Sequence, residues 1–197
     1  MIDFRSDEFF KQMTAEVRER VSKKRFEHIV SVSKTAEKLA SVYECDEKLA
    51  RLAGILHDWD KGLNNDEIRL KCKTYSLVEQ VGEWTIDNMP QLLHGPTAAA
   101  ELHKRFPDMP AEVINAIRVH TTADLEMSDM DMIIYVSDAI EPTRQYPELD
   151  ELTDMVGNVE LDRLYQVVYK YWTIKIIERD RILHPQTINI WNHLVQT

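Results

Sequence analysis

The 197-residue chain has little cysteine, glycine or proline, with two, five and seven of each. Each shortage excludes a class of protein. Cys45 and Cys72 are too few for a disulfide framework and do not form a CxxC pair, so a reducing cytoplasm is expected. Five glycines and seven prolines rule out collagen-like and linker-rich chains. No run approaches the ~18 apolar residues of a membrane span. The acidic start Met1-Ile2-Asp3-Phe4 carries no apolar stretch of leader length, so an unprocessed soluble protein is expected. Basic residues are also in deficit. The 24 Lys and Arg against 34 Asp and Glu leave a net charge of -10, which repels duplex DNA and anionic membranes. A phosphorylated ligand must therefore be small and held locally.

What the chain has is apolar material and helix formers. At 44% hydrophobic and 29% charged residues, it supports a real core at a length that favours one domain. Apolar residues recur at helical spacing in segments parted by short Gly, Pro or Asn punctuation, and none alternates with period two for long. The predicted helices run over about 7–21, 24–43, 46–61, 66–75, 77–88, 96–106 and 110–120, with another beginning at Ser128. A long one covers about 159–180 and a short one follows Pro185. The expected fold is all-α. Asp46 to Lys61 is apolar nearly all round, as suits a central helix, and Gly62 stops it.

Chemistry gathers at His28, His57-Asp58, His94, His120 and Asp138, each on or at the end of an apolar helix. An imidazole or carboxylate among core residues costs free energy unless paired or ligated, so five such sites point to one shared destination. A divalent ion bound by nitrogen and oxygen ligands, with no thiolate, supplies it. His57-Asp58 by itself is a weak signal. In company, the order His…His-Asp…His…His…Asp resembles the HD-domain metal-dependent phosphohydrolases.

More narrowly, Leu56-His57-Asp58-Trp59-Asp60-Lys61, Leu93-His94-Gly95, His120-Thr121-Thr122 and Asp138-Ala139-Ile140-Glu141-Pro142-Thr143-Arg144 resemble the YqeK-type bacterial family, over roughly 25–184. Its members are symmetrical diadenosine tetraphosphate hydrolases. The resemblance implies a compact HD-domain bundle over 1–197, with the metal site built from 28–138 and C-terminal helices 159–195 packed on it. It implies a metal held by His28, His57, Asp58 and Asp138. Iron is the first choice, with manganese, cobalt or magnesium as alternatives and one or two ions both compatible. His94 and His120 then face the phosphates or hold a second metal, and Asp58 also orients the attacking water. The chain departs from the family at Ala123, where glycine is usual, at Ser137, where alanine is usual, and at Ala139, where an aromatic is common.

Phosphates need local positive charge. Lys61 lies three residues after Asp58 and Arg25 three before His28, each on the helical face of a ligand, and Arg144 follows the Asp138 helix. Gln145 joins them as a substrate contact, and the helix opened by His94-Gly95-Pro96 offers free N–H groups to a phosphate. Asp58, Lys61, His94 and His120 form the expected catalytic set. Glu141 reads as a brace for the Arg144 loop, His103 and His193 as surface residues, and His184 as ligand-facing by family position. Tyr165, Tyr169 and Trp172 read as core or subunit contact. The partner expected is a dinucleoside polyphosphate or ADP-like nucleotide, and the resemblance implies a homodimer, for which Val167, Val168, Tyr171 and Trp172 offer surface. The alternatives are an HD phosphohydrolase of a dNTP or guanosine alarmone, and a catalytically weak nucleotide-binding sensor.

Overall fold

Ser6, Ser22, Asp46, Asn64 and Ser128 each accept a hydrogen bond from a backbone N–H of the first turn that follows. These caps satisfy otherwise orphaned donors, contributing about 1 kcal/mol each. They start α1 (Asp7–Arg20), α2 (Lys23–Val42), α3 (Glu47–Leu56), α4 (Asn65–Thr74) and α9 (Asp129–Ile140). At Asn64 and Ser128 the bond is reciprocated by Glu67 and Asp131, completing capping boxes. The other helices are α5 (Val78–Val81), α6 (Glu83–Asn88), α7 (His94–Arg105), α8 (Ala111–Val119), α10 (Leu149–Asp154), α11 (Leu161–Glu178) and α12 (Thr187–Leu194). A 3-10 turn over Pro90–Leu92 precedes α7. The computed structural model describes residues 2–196, so Met1 of the acidic start lies outside it. Among the described residues there is no strand, and no helix is long and apolar enough to cross a membrane.

The all-α expectation holds, with four local differences. The third helix stops at Leu56, not Lys61. From there the backbone tightens to three-residue bonds, Trp59 N to Leu56 O and Lys61 N to Asp58 O, as the His57 ring engages the Gly54 carbonyl. The segment over 77–88 is split by Gly82, whose φ of 79° breaks the helical path. α7 begins at His94, so Pro96 occupies its first turn rather than its first residue. Leu149–Asp154 forms a short helix in a stretch that carries no clear period.

α3 is the centre. Every residue from Leu49 to Leu56 other than Arg51 is buried, and the helix packs against α1, α2, α8 and α9. Gly54 allows this: a Cβ there would stand 2.7 Å from Ser33 Cα on α2. α9 in turn packs on α2, α8 and α11, so the helices that carry the candidate ligands all touch one another or α3. Asp60 is fully buried, yet it belongs to the frame. It pairs with Arg20 at 3.2 Å and Lys71 at 2.7 Å, and Lys71 also pairs with Glu101, which accepts from the Trp59 indole at 2.9 Å.

The surface proposed for subunit contact is not built as expected. Val168 is fully buried inside the chain, because that side of α11 packs on α9. Tyr171 and Trp172 are half-buried against Tyr146. The exposed large apolar residues of this region are instead Ile174, Ile177, Ile182 and Ile188.

Candidate metal centre

Four histidines and two aspartates from five places in the chain meet at one end of α3. His28 comes from the second turn of α2, His57 and Asp58 from the end of α3, His94 from the start of α7, His120 from the end of α8 and Asp138 from the last turns of α9. The approach of α7 to α8 depends on Gly95, where a Cβ would lie 2.8 Å from Ile117 O and 3.2 Å from His120 Cε1.

Three of the rings are oriented by one device. The Nδ1 of His57, His94 and His120 lies 2.7–2.9 Å from the carbonyl oxygen three residues earlier, of Gly54, Gln91 and Ile117. A carbonyl only accepts, so each Nδ1 carries its proton and each Nε2 presents a lone pair inward. Such outer bonds are what fix the tautomer of metal-binding histidines. On His28 the Nδ1 instead meets Glu141 Oε1 at 2.9 Å.

The inward atoms converge on Asp58. Its Oδ1 lies 3.0 Å from His94 Nε2 and 3.7 Å from His120 Nε2. Its Oδ2 lies 3.5 Å from His57 Nε2 and 3.9 Å from His28 Nε2. Two compact donor groups result, His28, His57 and Asp58, and Asp58, His94 and His120, with Asp58 common to both. The Nε2 atoms of His28 and His57 are buried and accept no hydrogen bond. Unpartnered buried nitrogens facing a carboxylate in an all-N/O donor set are the chemistry of a divalent-cation site, and the residues fit one.

Asp138 is attached more loosely. Its Oδ1 is 3.1 Å from His28 Nε2, without the alignment of a hydrogen bond, and takes Arg144 Nη2 at 2.5 Å, while Arg144 Nε donates to its carbonyl at 2.7 Å. It stands outside both compact groups. Burial would raise the acids, but their partners prevail. When they carry a proton on Nε2 as well, the surrounding histidines hold the Asp58 carboxyl well below its ordinary range, and His28 with Arg144 does the same for Asp138. Burial opposes a charge on His28, yet Asp138 and Glu141 raise it to about 9. On His94 burial wins and lowers it to about 4. Glu141, against its burial, is drawn down to about 2 by His28 and Thr143.

The expected cations are present but engaged. Arg25 Nη1 pairs with Asp58 Oδ2 at 3.0 Å and Arg144 with Asp138, so neither is a solvated surface charge. Lys61 is half-buried with its Nζ 3.5 Å from His94 Nδ1, and burial lowers its pKa. Gln145 is exposed on the wall of a cavity beside His28. Glu141 does more than brace a loop: it is buried and orients His28, a role that its place one residue past α9 did not reveal. Of the family departures, Ala123 sits at φ 60°, a left-handed conformation that suits glycine. Ser137 and Ala139 are buried in α9, and the Ser137 hydroxyl has no partner. His184 lines two cavities, His103 is exposed and His193 is half-buried at the surface.

The chain is similar to known proteins. The HD domain model matches residues 25–143. A symmetrical bis(5'-nucleosyl)-tetraphosphatase of Staphylococcus aureus is 32% identical over 179 residues, 89% of this chain and 89% of its own. Its namesake from Bacillus subtilis is 28% identical, over 91% and 94%. The crystal structure of a predicted HD superfamily hydrolase involved in NAD metabolism, from Clostridium acetobutylicum, superposes with a TM-score of 0.86 at 30% identity, covering 95% of this chain and 97% of that one.

Proposed function

The chain belongs to the HD-domain family, and from that membership we propose that it is a metal-dependent hydrolase that cleaves diadenosine tetraphosphate symmetrically to two ADP. The observation that carries the reading is the set of inward Nε2 lone pairs of His57, His94 and His120 around the Asp58 carboxylate, in a chain 32% identical to a protein named for this activity. His28, His57, Asp58 and Asp138 would hold the metal, iron first and manganese, cobalt or magnesium otherwise. The sharing of Asp58 between two donor groups favours two ions over one. A bound divalent ion supplies charge against the phosphates and acidity to water.

The protein's own groups do the rest. Asp58 Oδ1 accepts a hydrogen bond from the attacking water and so aims its oxygen at phosphorus. Arg25, Lys61 and Arg144 neutralise phosphate oxygens, with Gln145 at the edge. His94, kept neutral by burial, and His120 would hold the second ion beside the bridge. Water adds to one inner phosphorus, the central P–O bond breaks, ADP departs on its terminal phosphate oxygen and the water's proton passes to solvent, leaving the attacked half as the second ADP. Glu141 holds the His28 ring throughout.

We read the whole of 1–197 as one HD domain acting as a cytoplasmic homodimer on a dinucleoside polyphosphate, with neither DNA nor membrane as partner. Incubating the metal-loaded protein with diadenosine tetraphosphate and separating products by chromatography tests it. Two ADP without AMP or ATP is the expected result. Preferred turnover of a dNTP or guanosine alarmone, or nucleotide binding without turnover, overturns it.

A further inference from the structure

Two cavities share a wall of Trp172 and Arg179, and the larger reaches the ligand cluster at His28. The larger, about 740 Å³, opens beside His28 and Arg144 and is lined by Tyr146, Tyr171, Trp172 and Arg179. The smaller, about 340 Å³, opens beside Gln91 and Thr121 and is lined by Tyr135, Tyr169, Trp172 and Arg179. Gln91 holds the His94 ring through its carbonyl and Thr121 follows His120, so this second cavity is lined by the chain beside those two histidines. Both volumes lie in the ~300–1,000 Å³ range of small-molecule sites.

The two linings match in kind. Each has two tyrosines, and both use the same indole and the same guanidinium. Aromatic faces take a purine ring by stacking, and arginine takes a phosphate. Tyr146 and Tyr171 already stack at 5.2 Å, and Arg144 lies 5.5 Å from the Trp172 ring centroid, so the divider stands next to the residue that holds Asp138. Tyr135 lies one turn before Asp138 on α9.

Building on the proposed activity, we infer that the two cavities are paired half-sites, each taking one nucleoside diphosphate half of the substrate, and that Trp172 is the divider that centres the phosphate bridge on the cluster. A substrate of two identical halves then meets two walls of like chemistry. Trp172 is a positioning residue that selects the central bond over the outer ones, and Arg179 serves both halves.

Calorimetric titration of the metal-loaded protein with ADP, together with product analysis, tests this. Two ADP are expected to bind per chain. Ile176→Trp, which narrows only the smaller cavity of the pair, should leave one. Trp172→Leu, which removes the aromatic face and much of the divider's bulk, should weaken both sites about tenfold and let AMP and ATP appear beside ADP, and Trp172→Phe, which brings back a ring, should restore both properties. Binding of one ADP per chain to the unaltered protein, or Trp172→Leu with unchanged affinities and unchanged products, overturns the inference. Two ADP bound without hydrolysis of diadenosine tetraphosphate would sink the proposed activity and leave the half-sites standing. Symmetrical hydrolysis with a single ADP bound would do the reverse.

Discussion

His94 and His120 face each other nitrogen to nitrogen, Nε2 to Nε2 at 3.0 Å, while the Nδ1 proton of each is committed to a backbone carbonyl. Two lone pairs held that close repel unless something positive lies against both. Asp58 Oδ1, 3.0 Å from His94 Nε2, adds a third acceptor. The fold therefore keeps in place a cluster whose own electrostatics call for a cation.

Asp58 is the one residue common to both donor groups, so Asp58→Ala is expected to abolish metal binding and lower hydrolysis at least about a hundredfold while the helical circular dichroism persists. Elemental analysis reads the first effect directly. A full metal complement in the variant would remove Asp58 from the ligand set.

Lys61 and Arg144 separate into different behaviours. Among the described residues Lys61 pairs with no carboxylate within salt-bridge distance, so Lys61→Ala should weaken nucleotide binding by about tenfold and leave metal content and melting temperature close to the wild type. Arg144 also holds Asp138, so Arg144→Ala should weaken the nucleotide and loosen the metal together. Isothermal titration alongside metal analysis distinguishes the two, and identical profiles would contradict the separation.

Stability should fall on the acid side through Glu101. Burial would raise this carboxyl, but Lys71, the Trp59 indole and Arg20 lower it below its ordinary 4.5. A depressed carboxylate contributes stability that is present above 4.5 and is lost as pH drops through its folded value. Melting curves from about pH 6 to about pH 3 should show a steep acid limb for the wild type and a shallower one for Glu101→Gln, from a lower starting point. Parallel limbs would place the acid sensitivity elsewhere.

Two substitutions toward the residues usual in the resembled family should stabilise. Ser137→Ala removes a buried hydroxyl without a partner, a gain of about 1 kcal/mol. Ala123→Gly relieves a left-handed backbone that costs a non-glycine residue about 1 kcal/mol, partly offset by the greater freedom of unfolded glycine. Differential scanning calorimetry should show the melting temperature rising in each and additively in the pair, since Ser137 lies in α9 and Ala123 in the loop before it. A fall in either would mean that the site compensates in a way the static contacts do not display.

The sequence by itself determined the all-α class, most helix bounds and the residue types of the candidate cluster. These are local matters: helical periodicity, caps such as Ser128 with Asp131, and polar residues marooned on apolar stretches are all written within a few positions of one another. Tertiary structure decided the rest. Whether Arg25 and Arg144 are solvated or paired depends on carboxylates 33 and six residues away. That Asp60 is frame while its neighbour Asp58 is site follows from which face of one tight turn meets Arg20 and Lys71. The role of Glu141 depends on a histidine 113 residues earlier. Trp172 shares its period with the core residues Tyr165 and Tyr169, and only the packing of α11 on α9 leaves it half-buried between two cavities while Tyr165 is enclosed and Tyr169, though buried, borders one of them. Sequence spacing carries the angle of a side chain about its own helix, and the partner it meets is set by how helices distant in the chain pack together.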